Sequence, residues 1–530
     1  MIERSTRFES AGSERTFALV ATFVYAIVVA FLAAHHEPWF DELQAWRIAI
    51  DSAGIADLSR NLRYEGHPIL WYLVLQAVGT VSRSWESAVI AHVLIATSLA
   101  WLILRYAPFS RLQRCLVVSG YFFVYEYAAI VRGYGLGALL GFAACAAWCA
   151  PKRRVTLAAI ALALLANTSA VGLVLAIALT AGFAFDAITS DLRSRLTSGM
   201  RWGPLVLALT PVTVAAMIAT QQMQPPKDAR YQGSGIVDQT DRLWRIGHVA
   251  TFPARVFVPL AHEPAGRSTR WGSWRFEPAT RIEKAGADVA ALLVVVIATM
   301  ICVRRRIGLF VWLASLSGLL IFFAVFHLGS IRHHGYIAVA FLLAAWLSGT
   351  GPPDNWPRAF SRMAERCASL RSPLLTVMLL PMVLAAARAA DAEVRYEFFS
   401  ARAIATRIEE ERLSGVPIVG VAHLSPQAVA ALLDEPVYFP RESRRSTWTD
   451  FGAYRHSAPL AELADSVVSE LLRTNCQVVL LSSDQEPLSR WVQGLSRELP
   501  TTSSDPMVGP RMRLWLASAV ALGCRPSNAP

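Results

Sequence analysis

Charge is scarce in this 530-residue chain: Asp, Glu, Lys and Arg make up 17% of it, against 54% hydrophobic residues. That shortage excludes a soluble globular protein of this size, and the mean hydropathy of +0.39 makes a lipid bilayer the solvent for much of the molecule. Cysteine is sparse too. Cys115, Cys145, Cys149, Cys302 and Cys367 fall in or beside apolar runs or basic loops, where no disulfide is expected. Cys476 and Cys524 share the C-terminal region; they pair if that region is exported, or are two unrelated buried thiols. The C-terminal region also lacks a glycine-rich phosphate loop, a hydrolase triad and metal-ligand spacing. The formal net charge of +11 would point to nucleic acid in a soluble protein. Here the Lys and Arg gather in short loops between apolar runs, which makes them a topology signal.

What is abundant is apolar sequence of membrane-spanning length. A polar tail with Arg4, Arg7 and Arg15 precedes the run Thr16–Ala34, long enough to cross about 30 Å of hydrocarbon and too long for a cleavable leader, so it reads as a retained signal anchor. Further runs lie near 87–104, 115–129, 134–150, 155–167, 170–188, 203–220, 286–303, 307–327, 334–349 and 373–389. About eleven transmembrane helices result, since lipid satisfies no open backbone. With the N-terminus in the cytoplasm, the clusters Arg105/Arg111/Arg114, Lys152/Arg153/Arg154, Arg193/Arg195/Arg201, Arg304/Arg305/Arg306 and Arg358/Arg362/Arg366/Arg371 are all cytoplasmic. The short apolar stretch His67–Val81 is then an interfacial or re-entrant helix on the outer face, because a full span there would invert every later loop.

The expected fold class is mainly α: a polytopic helical membrane protein over residues 1–390, followed by an extracytoplasmic α/β domain over 391–530. The outer-face loops are 35–86, 125–135, 221–285 and 327–335. The tail alternates strand-like runs (416–422, 437–439, 477–482, 513–517) with helix-like ones (400–413, 427–433, 460–473), which is the pattern of a small α/β domain.

Chemistry has few places to reside. Directly after the first span comes His-His-Glu-Pro-Trp-Phe-Asp-Glu, ending in Asp41 and Glu42. Adjacent carboxylates at a membrane surface can hold a divalent cation or act as a general base; they are also what an ordinary helix start carries in its first turn. Glu65-Gly66-His67-Pro68-Ile69-Leu70 introduces the short helix, Glu126 and Arg132 stand in the next outer loop, and Ser330-Ile331-Arg332-His333-His334-Gly335-Tyr336 opens a late run. Glu126 and Arg132 either serve a site or pair with each other, and the histidines read more simply as interfacial groups than as ligands. Arg332 suits a lipid phosphate, since a planar guanidinium offers paired donors to phosphate oxygens. The long loop's Gln224–Tyr231 and Trp271–Phe276 read mostly as interfacial anchors.

A span, then Asp-Glu in an outer loop, then Glu-Gly-His-Pro-x-Leu resembles the start of the GT-C superfamily of polytopic glycosyltransferases, on its protein O-mannosyltransferase and aminoarabinose transferase branch. Ile69 stands where that branch has a second Pro, and Glu126 lacks the spaced acidic partner of oligosaccharyltransferases. The resemblance implies transfer of a hexosyl or pentosyl group from a polyprenyl-phosphate donor to a lipid, glycan or protein acceptor, at the outer face of the cytoplasmic (inner) membrane. It implies catalytic roles for Asp41 and Glu42, Asp41 removing or orienting the acceptor's proton, and substrate-binding roles for Glu65, His67, Glu126, Arg132, Arg332, His333 and Tyr336. Metal ligands stay unknown, with Mg or Mn as the candidate cofactor. Two other readings remain: a transporter or flippase, against which the nearly charge-free spans and missing inverted repeat count, and a non-catalytic scaffold presenting the external domain.

Overall fold

A computed structural model of the chain describes residues 2–195, 203–224, 226–227, 242–259, 281–422, 425–453, 459–502, 506–509 and 511–519. The first apolar run becomes most of helix α1 (Ile2–His35), and the acidic pair opens α2 (Phe40–Asp51). There follow α3 (Ile55–Asn61), α4 (Leu70–Val81), α5 (Trp85–Tyr106), α6 (Arg111–Val118), a π turn (Phe122–Glu126), α7 (Tyr134–Trp148), α8 (Val155–Ala166), α9 (Ala170–Arg195) and α10 (Gly203–Met223). The second half of the bundle is α11 (Arg242–Val249), α12 (Phe252–Phe257), α13 (Arg281–Cys302), α14 (Arg306–Val325), α15 (Ile331–His334), α16 (Tyr336–Gly349) and α17 (Arg358–Arg395).

Among the described residues, six helices are long and apolar enough to cross a membrane: α1, α5, α9, α13, α14 and α17. The run at 115–129 is not one continuous helix. It breaks at Ser119-Gly120, where α6 ends and the π turn begins. The run at 334–349 becomes α16, only 14 residues long and buried from Tyr336 to Ser348. Apolar on every side, it is the central helix that the others pack around rather than one that meets lipid. Helix α4 has 12 residues, about 18 Å of helix and well short of a bilayer's hydrocarbon.

The basic loops gather at one end. Glu14 near the start of α1 pairs with Arg111 and Arg114, each at 2.7 Å, and Asp186 of α9 holds Arg153 at 2.7 Å and Arg305 at 3.3 Å. Arg304 donates to the Gly351 carbonyl at 2.8 Å and Arg371 to that of Ala345 at 2.8 Å. The opposite ends of these same helices carry His36, Ser169, Arg332 and Glu393.

On that second end sits the sheet: β1 (Ile418–Gly420), β2 (Val437–Phe439), β3 (Arg444–Ser446), β4 (Gln477–Ser483), β5 (Ser496–Leu499) and β6 (Met512–Ser518), in the order β3-β2-β1-β4-β6-β5. Strand β1 runs parallel to β2 and β4, and the remaining pairs are antiparallel. The expected strand and helix runs coincide with β1, β2, β4, β6 and with α18 (Ala401–Glu410), α19 (Pro426–Leu433) and α20 (Leu460–Asn475). The polar edge strands β3 and β5 were not expected; an edge needs little buried apolar surface and leaves little pattern. Among the described residues Cys476 is disulfide-bonded and the five bundle cysteines are free, while Cys524 lies outside the described residues. So do Trp271–Phe276 and most of Gln224–Tyr231.

Candidate active site

Three polar side chains from distant parts of the chain, Asp41, Arg132 and Arg332, meet where the bundle carries the sheet. Trp39 is the N-cap of α2, so Asp41 lies in its first turn. Arg332 Nη2 stands 2.7 Å from Asp41 Oδ2, and Arg132 Nη2 stands 3.9 Å from the same oxygen. Arg132 also donates through Nη1 to the main-chain carbonyl of Asp41. The Arg332 guanidinium lies over the Trp39 ring, 4.8 Å from its centre, and its Nε–H has no hydrogen-bond partner among the described residues. Burial works against the Asp41 charge, but Arg332 and then Arg132 outweigh it and hold the carboxyl below its ordinary range.

Local sequence explains why the arginines point here. Gly335 packs so closely on Phe122 and Tyr127 that a Cβ would fall 2.3 Å from the Phe122 ring and 2.4 Å from the Tyr127 hydroxyl. That hydroxyl donates to the Arg332 carbonyl at 2.7 Å and fixes the short helix α15. Arg132 is placed by the residue before it, because the Val131 N–H donates to Glu42 Oε1.

Glu42 therefore does not share Asp41's arginine partners. It is buried, accepts the Trp39 N–H at 3.1 Å and faces His36 Nε2 at 2.9 Å. On its other side His36 Nδ1 meets Glu393 Oε1 at 2.9 Å, and Tyr125 of the π turn donates to Glu393 Oε2 at 2.6 Å. Burial opposes a charge on His36, yet Glu42 and Glu393 together raise it to about 10, so the imidazolium is the bridge between two buried carboxylates. Glu37, pushed up to about 7 by burial, accepts the main-chain N–H groups of Phe398 and Phe399 at 3.1 and 3.4 Å. The neck of the sheet region is thereby tied to the loop that carries Asp41.

The remaining candidates divide. His67 and Arg132 line a cleft with Trp71, Tyr72, Tyr134 and Thr168, whose free volume of about 20 Å³ holds about one water and admits a sugar only if it widens. Burial and then Arg132 depress His67 to about 3, so it is a neutral imidazole. Glu65 sits on the turn before the cleft, where Gly66 takes φ of +66°, a left-handed conformation glycine adopts without strain. Burial raises Glu65 to about 7. His333 accepts the Ser330 N–H at 2.9 Å and meets Tyr134 edge to face at 5.4 Å; it is kept neutral by burial and by Arg332. Tyr336 is fully buried, donating to the Tyr134 carbonyl at 3.0 Å, and Glu126 is buried and accepts from Tyr121 at 2.8 Å. Tyr336 thus stands behind the cleft wall, against Tyr134.

Among the described residues a divalent cation finds no fitting donor set. Asp41 is occupied by guanidinium, and among the described residues no group of three or more His, Cys, Asp or Glu side chains is placed to hold a metal. Sequence reasoning passed over Glu393, Gln44 and the bridging role of His36. Glu393 had one signal, an acidic residue in the last turns of an apolar span, which is costly unless partnered.

No protein-family model matches the sequence, and no curated protein matches it. Two solved structures of ArnT, the aminoarabinose transferase, from Cupriavidus metallidurans are similar to the chain. The apo form is 14% identical with a TM-score of 0.51, over 97% of this chain and 99% of that one. The form bound to undecaprenyl phosphate is 13% identical with a TM-score of 0.51, over 96% and 99%. The apo oligosaccharyltransferase of Archaeoglobus fulgidus is 13% identical with a TM-score of 0.38, over 88% and 69%. The likeness to the ArnT structures, over 97% and 96% of this chain, is one of fold.

Proposed function

We propose that the chain is a membrane glycosyltransferase that moves a sugar from a polyprenyl-phosphate donor to a hydroxyl of a lipid, glycan or protein acceptor. The observation that carries this reading is the Asp41 carboxylate clasped by Arg332 and Arg132 at a bundle end, beside a cleft. An arginine pair with a free Nε–H suits a phosphate that gains charge as the sugar leaves. The undecaprenyl phosphate of the similar ArnT structure is a lipid of that chemistry.

In this mechanism the acceptor oxygen attacks the anomeric carbon as its proton passes to a base of the site, the bond from that carbon to the phosphate oxygen breaks, and polyprenyl phosphate departs with the electron pair. Arg332 and Arg132 neutralise the departing phosphate, and Asp41 holds both guanidiniums and orients the acceptor. The leaving group is already a stable anion, so it needs little acid assistance. No step requires a metal. We read the basic end as cytoplasmic by the positive-inside rule, and with it Asp41, the sheet region and the reaction as lying on the outer face of the inner membrane.

The test is transfer itself. Purified protein is incubated with radiolabelled undecaprenyl-phosphate hexoses and aminopentoses plus membrane lipid and glycan extracts. Label moving from polyprenyl phosphate to a product, and not moving with Asp41→Asn, is the expected result. A protein that transfers from none of them, or an Asp41→Asn variant of full activity, ends the proposal.

A further inference from the structure

Asp41 is badly placed to take a proton. Its Oδ2 is engaged by Arg332 at 2.7 Å with Arg132 at 3.9 Å, and a carboxylate held by two guanidiniums is a weak base. A hydroxyl acceptor must nevertheless lose its proton as it attacks. The neighbouring carboxylate is differently held. Gln44 Nε2 donates to Glu65 Oε1 at 2.9 Å, and the hydroxyl of Tyr72, a residue of the cleft wall, stands 3.5 Å from Oε2. Among the described residues no cation stands within ion-pair distance of Glu65.

The Gln44 amide cannot turn over. Its Oε1 accepts the Thr449 N–H at 3.0 Å while Nε2 donates to the Thr449 carbonyl at 2.7 Å, so the amide face toward Glu65 is the donor. The C-terminal segment thus sets the orientation of Glu65's amide partner through the main chain of Thr449. Among the described residues, Glu442 of that segment pairs with Arg444 at 2.7 Å, and the Asp450 carboxylate accepts the Gly452 N–H at 2.9 Å.

Resting on the glycosyltransferase reading above, we propose that Glu65 is the catalytic base: its carboxylate accepts the acceptor hydroxyl's proton as the oxygen-to-carbon bond forms, and Gln44, gripped by Thr449, is its positioning residue. The proton moves from acceptor oxygen to a Glu65 oxygen, and the electron pair of the broken bond leaves on polyprenyl phosphate beside Arg332. The charged groups that reach Glu65 are Arg132, which favours its ionised form, and Asp41, which opposes it; Tyr72 faces it from α4, and His67 beyond the turn is neutral. Burial is the largest influence and brings Glu65 to about 7, a range in which a base is both available and strong enough.

The experiment measures transfer by full-length protein in nanodiscs, from radiolabelled undecaprenyl-phosphate sugar, across pH 5 to 9. Wild-type kcat rises with pH through about 7 and then levels, because only ionised Glu65 accepts a proton. Glu65→Gln loses about 100- to 10,000-fold in kcat with an unchanged donor KM and no pH limb, and formate restores part of the rate of Glu65→Ala. Gln44→Met keeps the limb but moves it to higher pH, since a hydrogen bond to the ionised form is gone. It also covers the case in which Glu65→Gln fails to fold. A protonated-carboxyl C=O stretch that titrates near pH 7 in wild type is missing from Glu65→Gln; the comparison with that variant sets aside Glu37, which titrates in the same range. A Glu65→Gln enzyme within tenfold of wild type, a limb that persists in it, or a limb unmoved in Gln44→Met overturns the assignment while leaving the glycosyltransferase reading intact. A wild-type protein that transfers from no lipid-linked sugar overturns both.

Discussion

If Asp41 and Arg332 act as one device, their losses should not add. Replacing Arg332 by Gln removes the guanidinium 2.7 Å from Asp41 and, in the mechanism above, one stabiliser of the departing phosphate. Losing one such donor costs about 100- to 1,000-fold in kcat. Replacing Asp41 by Asn leaves Arg332 and Arg132 facing one another without the charge that holds them together. The damage is then of the same order, because the guanidiniums drift from the phosphate. The direct coupling is that of a charge-assisted hydrogen bond, about 1.5–3 kcal/mol, or roughly 10- to 150-fold. The double variant should accordingly fall short of the product of the two single losses by at least tenfold, and at the limit be no slower than the worse single. The assay is a cycle of four initial rates at saturating donor, with thermal melts to show that each variant is folded. Losses that multiply to about 10,000-fold or more with no shortfall would refute the idea that Asp41 works through the arginine, and would return it to an independent catalytic role.

Three further outcomes follow from the packing around the site. His36→Gln should lower the melting temperature sharply, since it leaves two buried carboxylates unpaired at a cost of about 3–5 kcal/mol. Because the folded His36 value of about 10 lies above that of an unfolded histidine, about 6.5, its contribution is complete below pH 6.5 and is lost as pH rises through 10; melts of the wild type should decline over that window and those of His36→Gln should lack the decline. Gly335→Ala drives a methyl into Phe122 and the Tyr127 hydroxyl that anchors Arg332, so stability should fall by about 1–3 kcal/mol and transfer should fall with it, as read by melts and rates on one preparation. A chelator should leave transfer unchanged, and activity that disappears with EDTA and returns with Mg or Mn would contradict the mismatch between Asp41's surroundings and a cation.

The helices were legible where burial and lipid ask for the same thing. Long apolar runs such as those of α5 and α14 had to become helices, because neither environment satisfies an open strand. Hydropathy, however, cannot distinguish a helix facing lipid from one facing protein. The run over α16 has the apolar composition of a lipid-facing span, while the helix is enclosed by its neighbours from Tyr336 to Ser348. Nor does it register the Ser119-Gly120 break, where a π turn brings Tyr125 to Glu393. In the sheet region the buried strand β4 announced itself and the exposed edge β5 did not.

The site shows the same division in sharper form. Asp41 stands out through the family resemblance of its loop, since by residue type alone an acidic pair there reads as an ordinary helix start, and Arg332 through a similar resemblance, in which a guanidinium at a span's end suits an anion. Which carboxylate of the pair meets the arginines was not legible, since that depends on helix phase: successive residues of α2 point about 100° apart, so Asp41 meets the arginines and Glu42 turns to His36. Gln44 was further out of reach, because its orientation depends on Thr449, whose contribution is a main-chain N–H and carbonyl that any residue type would supply. A substitution at position 449 should therefore matter little unless it is proline, which lacks the N–H that holds the Gln44 oxygen. Thr449→Pro should shift the pH limb of transfer upward as Gln44→Met does, while Thr449→Ala should leave it in place; equal shifts in both would mean that the side chain, and not the main chain, carries the coupling.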